Sequence, residues 1–251
     1  MTEVTTDLQG GGGSGPLDRG HGGAVDGEGR AAVTRAGDRG ITDIAAKVVA
    51  ALPSLDGRQR RVGRAVYRLL AAGRPATPAS VAPMADLGPE EAAAVMAGLP
   101  TARRQAGAVT AFLGLQAEPG AHRLRFAGVD CWTWCAWDTL FIPALVGSRA
   151  LVESTCPVTR TTVVVEVDPV DGVVAAEPAG ALLTFLRSPR PYGGDIVDSF
   201  CRWMHFVSGP VAGERWVGAA AAERDDVIVL PLAAGVAIGR ATNRAVFGVP
   251  G

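Results

Sequence analysis

Histidine is scarce in this chain of 251 residues: there are three, and His21 and His122 lie away from the motifs that carry chemistry. Only His205 sits near them, so a nucleophile–histidine triad has poor material here. Charge of one sign is also lacking. The 24 basic and 25 acidic side chains leave a formal net charge of -1, which gives no overall attraction to nucleic acid or to an anionic membrane. Long apolar runs are missing too: the uncharged stretch between Asp226 and Arg240 has 13 residues, too few to span a bilayer. The N-terminus, Met1-Thr2-Glu3-Val4, has neither the basic nor the apolar region of a secretion signal. A cytoplasmic location is expected, and with it four free thiols rather than a disulfide framework. No internal repeat is visible. What remains is 48% hydrophobic, enough for one well-filled core and a smaller accessory domain.

Residues 1–40 are rich in Gly, Asp and Arg, including Gly10-Gly11-Gly12-Gly13-Ser14-Gly15. They offer too little apolar surface to offset chain entropy, and a disordered tail without chemistry is expected. From about Ile41 the spacing turns helical. Ile44, Val48, Val49 and Leu52 form one apolar stripe, and Val62, Val66, Leu69 and Leu70 a second. Thr77-Pro78-Ala79-Ser80 reads as a cap with an early proline, and Gly88-Pro89-Glu90-Glu91 opens a further helix. A strand over Val109–Leu113, a turn at Glu118-Pro119-Gly120 and a strand over Leu124–Phe126 complete a small winged-helix-like domain, residues 41–126. Arg58, Arg60, Arg61, Arg64 and Arg68 raise the idea of DNA contact, but they cluster early, and a recognition helix at Glu90-Glu91 carries the wrong charge.

Residues 127–251 read as a mixed α/β catalytic domain, so the fold class expected for the chain is α+β. Asp138–Val146 is helical with Pro143 inside it. Ala150–Glu153, Thr161–Val167, Ala181–Leu186 and Val227–Leu230 are strand-like, the last followed by a helical segment through Asn243.

The chemistry concentrates around two cysteines. Cys135 lies in Trp134-Cys135-Ala136-Trp137-Asp138-Thr139-Leu140, and Cys201 in Ser199-Phe200-Cys201-Arg202-Trp203-Met204-His205-Phe206. Cys135 and Asp138 are three apart, a spacing that shares one face of a helix. A carboxylate beside a thiol can take its proton or return one, provided that burial tunes its pKa. Trp132, Trp134 and Trp137 would supply the low-dielectric surroundings. Cys201 is 66 residues further on (135 to 201), and only the fold could bring it near. Spacing alone slightly favours reading Cys135 and Cys201 as two inert core cysteines. Cys131 stands one helical turn before Cys135 as a ligand, a disulfide partner or a bystander. Cys156, in Ser154-Thr155-Cys156-Pro157, reads as a structural residue at a strand end.

The same segments resemble the organomercurial (alkylmercury) lyase family. The likeness runs over Trp134-Cys135-Ala136 with Asp138-Thr139-Leu140, Pro143-Ala144-Leu145 and Gly147. It continues at Cys156, Glu177-Pro178-Ala179-Gly180, Ser199-Phe200-Cys201, His205-Phe206 and Asn243-Arg244, covering most of residues 55–245. The resemblance implies protonolysis of a carbon–mercury bond, with Cys135, Cys201 and Asp138 as catalytic residues and as ligands of the substrate and product mercury. It implies no organic cofactor, an organomercurial as the small-molecule partner, and external thiols or a mercuric reductase as the Hg(II) acceptor. Nucleic acid and membrane are not expected partners. The third family cysteine, here Cys156, is structural. Two departures stand out: Arg202 occupies a position where some relatives carry a second cysteine, and Cys131 is an additional thiol.

Two other readings compete. One is a soft-metal binding or metal-sensing protein with Cys135, Asp138 and Cys201 as ligands and a DNA-contacting winged-helix domain; a pure thiophilic carrier gains little from Asp138. The other is a hydrolase with Cys135 as acyl acceptor, which lacks both a histidine partner and an evident oxyanion motif.

Overall fold

Local signals in the sequence set where the first helices begin. The computed structural model describes residues 38–189, 191 and 195–249. Helix α1, Asp38–Ala51, starts within the expected tail; residues 1–37, on which the rest of that expectation falls, lie outside the described residues. Helix α2, Gly57–Ala71, opens at Asp56, whose carboxylate accepts the N–H groups of Arg58 and Gln59 while Gln59 accepts the Asp56 N–H. Helix α3, Pro78–Ala85, repeats this box with Thr77 and Ser80. Helix α4, Pro89–Ala97, has proline in its first turn and Glu90 and Glu91 at its positive end. Of the two expected stripes, Ile44, Val48, Val62, Val66, Leu69 and Leu70 are buried, while Val49 and Leu52 are half-buried.

Eight strands follow in one antiparallel sheet: β1 Arg103–Gln105, β2 Ala108–Phe112, β3 Leu115–Gln116, β4 His122–Phe126, β5 Val129–Thr133, β6 Ala150–Thr155, β7 Thr162–Asp168 and β8 Gly172–Glu177. Their order is β1-β2-β3-β5-β4-β6-β7-β8. A second antiparallel sheet has the order β10-β9-β11, with β9 Leu182–Leu186, β10 Phe206–Val207 and β11 Val227–Pro231. Helices α5 Asp138–Val146, α6 Ile196–Ser199, α7 Pro210–Ala220 and α8 Leu232–Thr242 complete the elements, with a π-helical turn at Asn243–Phe247. This is the mixed α/β class expected, with helices and antiparallel strands.

The pairing of the first strands departs from expectation. β2 does not pair with β4; it turns back at once into β3, while β4 pairs with β5 and β6. Leu113 at φ 37° and Gly114 at φ 102° make that reversal, so the chain turns there and not at Glu118-Pro119-Gly120. The sheet continues from β4 into β5, straight through residue 127.

Helix α5 is apolar on nearly every side and is buried accordingly, packed against α2, α8, β7 and β8. Gly147, in the left-handed conformation, ends it and donates its N–H to the Pro143 carbonyl. The entry of this helix is where the candidate site forms. No helix among the described residues is long and apolar enough to cross a membrane.

Candidate active site

Three loops and one helix end converge on the site. Cys135 lies in the short connection between β5 and α5, and Asp138 is the first residue of α5. They do not share a helical face as the spacing predicted. The contact forms across the helix entry, where the Asp138 carboxylate accepts the Cys135 N–H at 3.0 Å. Thr133 steadies the same connection by donating its hydroxyl to the Cys135 carbonyl at 2.8 Å.

Cys201 arrives on a 3₁₀ turn, Cys201–Trp203, after α6. The segment is fixed from two sides. Thr184 of β9 donates its hydroxyl to the Trp203 carbonyl at 2.7 Å and accepts the His205 N–H at 2.8 Å. The Ala136 N–H donates to the Met204 carbonyl at 3.1 Å, joining the two cysteine segments directly. One ligand atom from each of Cys135, Asp138 and Cys201 then lies within 4.8 Å of the others, and all three residues are buried. Among the described residues no other group of three His, Cys, Asp or Glu ligand atoms is gathered so closely.

The surroundings are apolar. Trp137 is buried against Phe141 and Phe185 at ring separations of 4.7 and 5.4 Å, and its indole donates to the Gly235 carbonyl at 3.0 Å. Cys135 Sγ stands 3.9 Å from the Met204 sulfur. A cavity of about 20 Å³ adjoins the cluster, lined by Leu52, Leu113, Gly114, Trp134, Trp137, Asp138, Phe141, Ile196, Phe200, Cys201, Thr242 and Phe247. Of the three tryptophans expected around the site, Trp134 and Trp137 line it and Trp132 does not.

Burial dictates the protonation states. It pushes the Asp138 carboxyl up to about 7, against the hydrogen bonds from Cys135 that pull it down. Burial raises the Cys135 thiol well above its ordinary value, helped by the neighbouring Cys201 thiol and Asp138 charge. At Cys201 the neighbouring Cys135 thiol acts to lower the pKa, but burial and the charges of Asp138 and Asp195 outweigh it and the net shift is upward. At neutral pH both thiols therefore keep their protons, and Asp138 is poised between its two forms.

Several residues at the site were invisible to sequence reasoning. Gly114 is one: a Cβ there would come within 2.5 Å of the Asp138 carboxyl carbon, so only glycine lets the carboxylate lie against the β2–β3 turn. The buried Tyr67 of α2 donates its hydroxyl to the Leu113 carbonyl at 2.7 Å and holds that turn. Met204 and Arg103 are others, Arg103 lying with its guanidinium carbon 5.2 Å from the Trp134 ring. A Leu-Gly pair between two short apolar runs was the signal available for Gly114; nothing local marked the rest.

The other cysteines stand apart from the cluster. Cys131 belongs to β5, not to a helix preceding Cys135, and donates its thiol to the Leu124 carbonyl at 3.1 Å. Burial pushes it up to about 12. Cys156 directly follows β6. Burial acts to raise its pKa, yet hydrogen bonds from Thr159, Ser208 and Val158 bring the thiol down to about 7. Arg202 spends its guanidinium on Asp198 and Glu223 at 3.2 and 2.9 Å. His205 donates or accepts through Nε2 at the Arg202 carbonyl, 2.8 Å away, and its ring lies 6.1 Å from that of His122. Asn243 is buried and donates to the Phe141 carbonyl at 3.1 Å, tying the end of α8 to α5.

A buried pair of thiols with a carboxyl near neutrality is built for soft-metal chemistry with a proton to move, and the comparisons point the same way. The family model for MerB, alkylmercury lyase, matches residues 115–243. An alkylmercury lyase of Streptomyces lividans is 35% identical over 185 residues, covering 73% of this chain and 82% of that protein. One of Staphylococcus epidermidis is 29% identical over 177 residues, covering 70% of this chain and 79% of that protein. The crystal structure of the mercury-bound form of MerB2 matches in fold, with a TM-score of 0.64 at 17% identity over 82% of this chain and 99% of that one. The chain belongs to the alkylmercury lyase family.

Proposed function

We propose that this enzyme cleaves the carbon–mercury bond of alkyl- and arylmercury compounds by protonolysis, with Cys135 and Cys201 as mercury ligands and Asp138 as the proton carrier. The observation that carries the proposal is the gathering of two thiols and a carboxyl within 4.8 Å in a buried, aromatic setting. Sulfurs no more than 4.8 Å apart can both reach a single mercury atom.

The steps balance with the groups present. One thiol displaces the ligand X from R–Hg–X and its proton leaves with X. The second thiol gives its proton to the Asp138 carboxylate and closes on mercury as a thiolate. Two thiolates push electron density toward carbon, and the carbon–mercury bond breaks as Asp138 delivers the proton to R. The products are R–H and a dithiolate-bound Hg(II), with HX released earlier. A carboxyl at about 7 can both receive and return a proton near neutral pH. The apolar walls keep water from competing for that proton. A cavity of about 20 Å³ holds roughly one water, so an organic group enters only when side chains of the wall yield.

Removal of Hg(II) falls to external thiols or a mercuric reductase, in a reducing cytoplasm that keeps the cysteines free. Residues 41–126 we take as a winged-helix-like unit that covers the site, with residues 127–251 supplying the chemistry. Supporting a covering role, Arg60, Arg61 and Arg64 donate to the carbonyls of Leu55 and Ala245, of Ala85 and of Phe247. Arg58 pairs with Glu91 at 3.0 Å. Guanidinium groups engaged in this way are withdrawn from phosphate contact, which argues against nucleic acid as a partner.

The test is benzene release from a phenylmercury salt in excess thiol. Wild type is run beside Cys135→Ser, Cys201→Ser and Asp138→Ala. Turnover by wild type with loss of about 10²-fold or more in Asp138→Ala, the scale of general acid catalysis, is the expected result. Stoichiometric mercury binding with no benzene would leave only a metal-binding protein.

A further inference from the structure

A guanidinium with free donors stands at the wall of the site. Arg103, on the edge strand β1, is exposed, and its guanidinium makes no hydrogen bond or ion pair among the described residues. Its guanidinium carbon lies 5.2 Å from the centroid of the Trp134 ring, and Trp134 lines the cavity beside Asp138 and Cys201. The Trp134 indole N–H is itself buried without an acceptor. Resting on the lyase reading above, we propose that Arg103 is a specificity residue that receives a carboxylate carried by the mercury compound, either on its organic group or on the thiolate ligand it brings.

The geometry favours this for three reasons. An indole face under a guanidinium holds the group by cation–π attraction without consuming its N–H donors. Those donors form a planar fork that matches a carboxylate bidentately; this chain uses the same match where Arg224 grips both oxygens of Asp226 at 2.7 and 2.8 Å. Finally, Arg103 is exposed to solvent while the Trp134 ring on which it lies lines the cavity. Its positive charge is felt at Cys201, where it favours the thiolate. The opposing charges there are Asp138 and Asp195, the latter capping α6 by accepting the Val197 N–H at 2.8 Å. A substrate carboxylate is thus drawn to the Arg103 side and away from the Asp195 side.

Two pairs of reactions test the inference on wild type, Arg103→Gln and Arg103→Lys. The first compares 4-(chloromercuri)benzoate with phenylmercury, both in 2-mercaptoethanol. The second compares phenylmercury in mercaptosuccinate with phenylmercury in 2-mercaptoethanol. The quantity read is the ratio of kcat/KM for the carboxylated member to that for the neutral one. Losing a charge-assisted hydrogen-bonded pair should lower this ratio about tenfold in Arg103→Gln, with Arg103→Lys in between. The pair that responds tells whether the carboxylate rides on the organic group or on the thiol. A ratio unchanged in both pairs overturns the inference, as does an equal loss on every substrate, which would mean that Arg103 only props Trp134. Absence of benzene from phenylmercury with wild type is a different failure: it removes the lyase reading itself.

Discussion

Replacing Asp138 with Asn keeps the shape of the side chain, removes its charge, and separates what the site costs the fold from what it does. In the folded chain burial holds this carboxyl at about 7, whereas the ordinary value is 3.8. The unfolded chain gives up the proton near 3.8. A raised carboxyl pKa means that the folded state binds the proton more tightly, so stability falls as pH rises from about 4 to about 7 and then levels off. The gap of about three pH units corresponds to an upper bound of roughly 4 kcal/mol for charging this group in place. An Asn at this position can still accept the Cys135 N–H through its carbonyl, but its amide N–H groups need partners in an apolar setting, which takes back part of the gain. We therefore expect Asp138→Asn to be more stable than wild type by about 1–3 kcal/mol at pH 8, or roughly 2–10 °C in Tm for a chain of this size. The advantage should shrink toward zero at pH 4. Guanidinium unfolding of both proteins in reductant, at steps of pH from 4 to 8, reads the difference directly. The same variant should lose benzene release by about 10²-fold or more. Two stability curves that run parallel across this pH range would refute the reasoning, because the carboxyl would then be charged in the fold at no penalty.

Three further perturbations test the neighbouring parts. His122 is buried, with Nδ1 at 2.8 Å from the Ser154 hydroxyl, and burial followed by the nearby His205 charge brings its pKa down to about 3. A lowered histidine pKa contributes stability that is present above about 6.5 and lost as pH falls toward 3, so His122→Gln should lose less stability than wild type over that window in urea midpoints; equal losses would contradict it. Gly114→Ala places a Cβ 2.5 Å from the Asp138 carboxyl carbon at a backbone φ of 102°. We expect about 1–2 kcal/mol of destabilisation from the backbone alone. Benzene release should drop about tenfold or more while stoichiometric Hg(II) binding by the thiols persists; turnover equal to wild type would show that the carboxylate position does not matter. Tyr67→Phe removes the buried donor to the Leu113 carbonyl and should cost about 1–3 kcal/mol in thermal unfolding, and an unchanged Tm would show that water reaches that carbonyl.

Much of the scaffold was legible because its signals are local. The apolar stripes of α1 and α2, the cap at Thr77, the early proline at Pro89, and the β-branched runs of β6, β7 and β11 are local signals. Pairing was less legible. β5 and β8 went unread because their residues, Val129–Thr133 and Gly172–Glu177, alternate weakly and gain their order from neighbours in the sheet. The site divides in the same way. Residue types and the family resemblance singled out Cys135, Asp138 and Cys201, but no spacing rule spans the chain between residues 135 and 201; Thr184 and the Ala136–Met204 hydrogen bond bring those segments together. The pairing of Cys135 with Asp138 shows why even a correct residue choice can rest on the wrong geometry. As the first residue of α5, Asp138 sits at the positive end of a helix, which by itself favours the charged carboxylate by roughly 0.3–1 kcal/mol, less than one pH unit. The local rule therefore points to a carboxyl below its ordinary value. Burial by Gly114, Trp137 and Phe141 acts the other way and wins, bringing it to about 7. Trp137 was expected there and Phe141 stands three residues on along α5, but nothing in the spacing marks Gly114, which only the fold brings against Asp138. The property that lets Asp138 carry a proton at neutral pH is thus set by tertiary packing against the preference of its own helix.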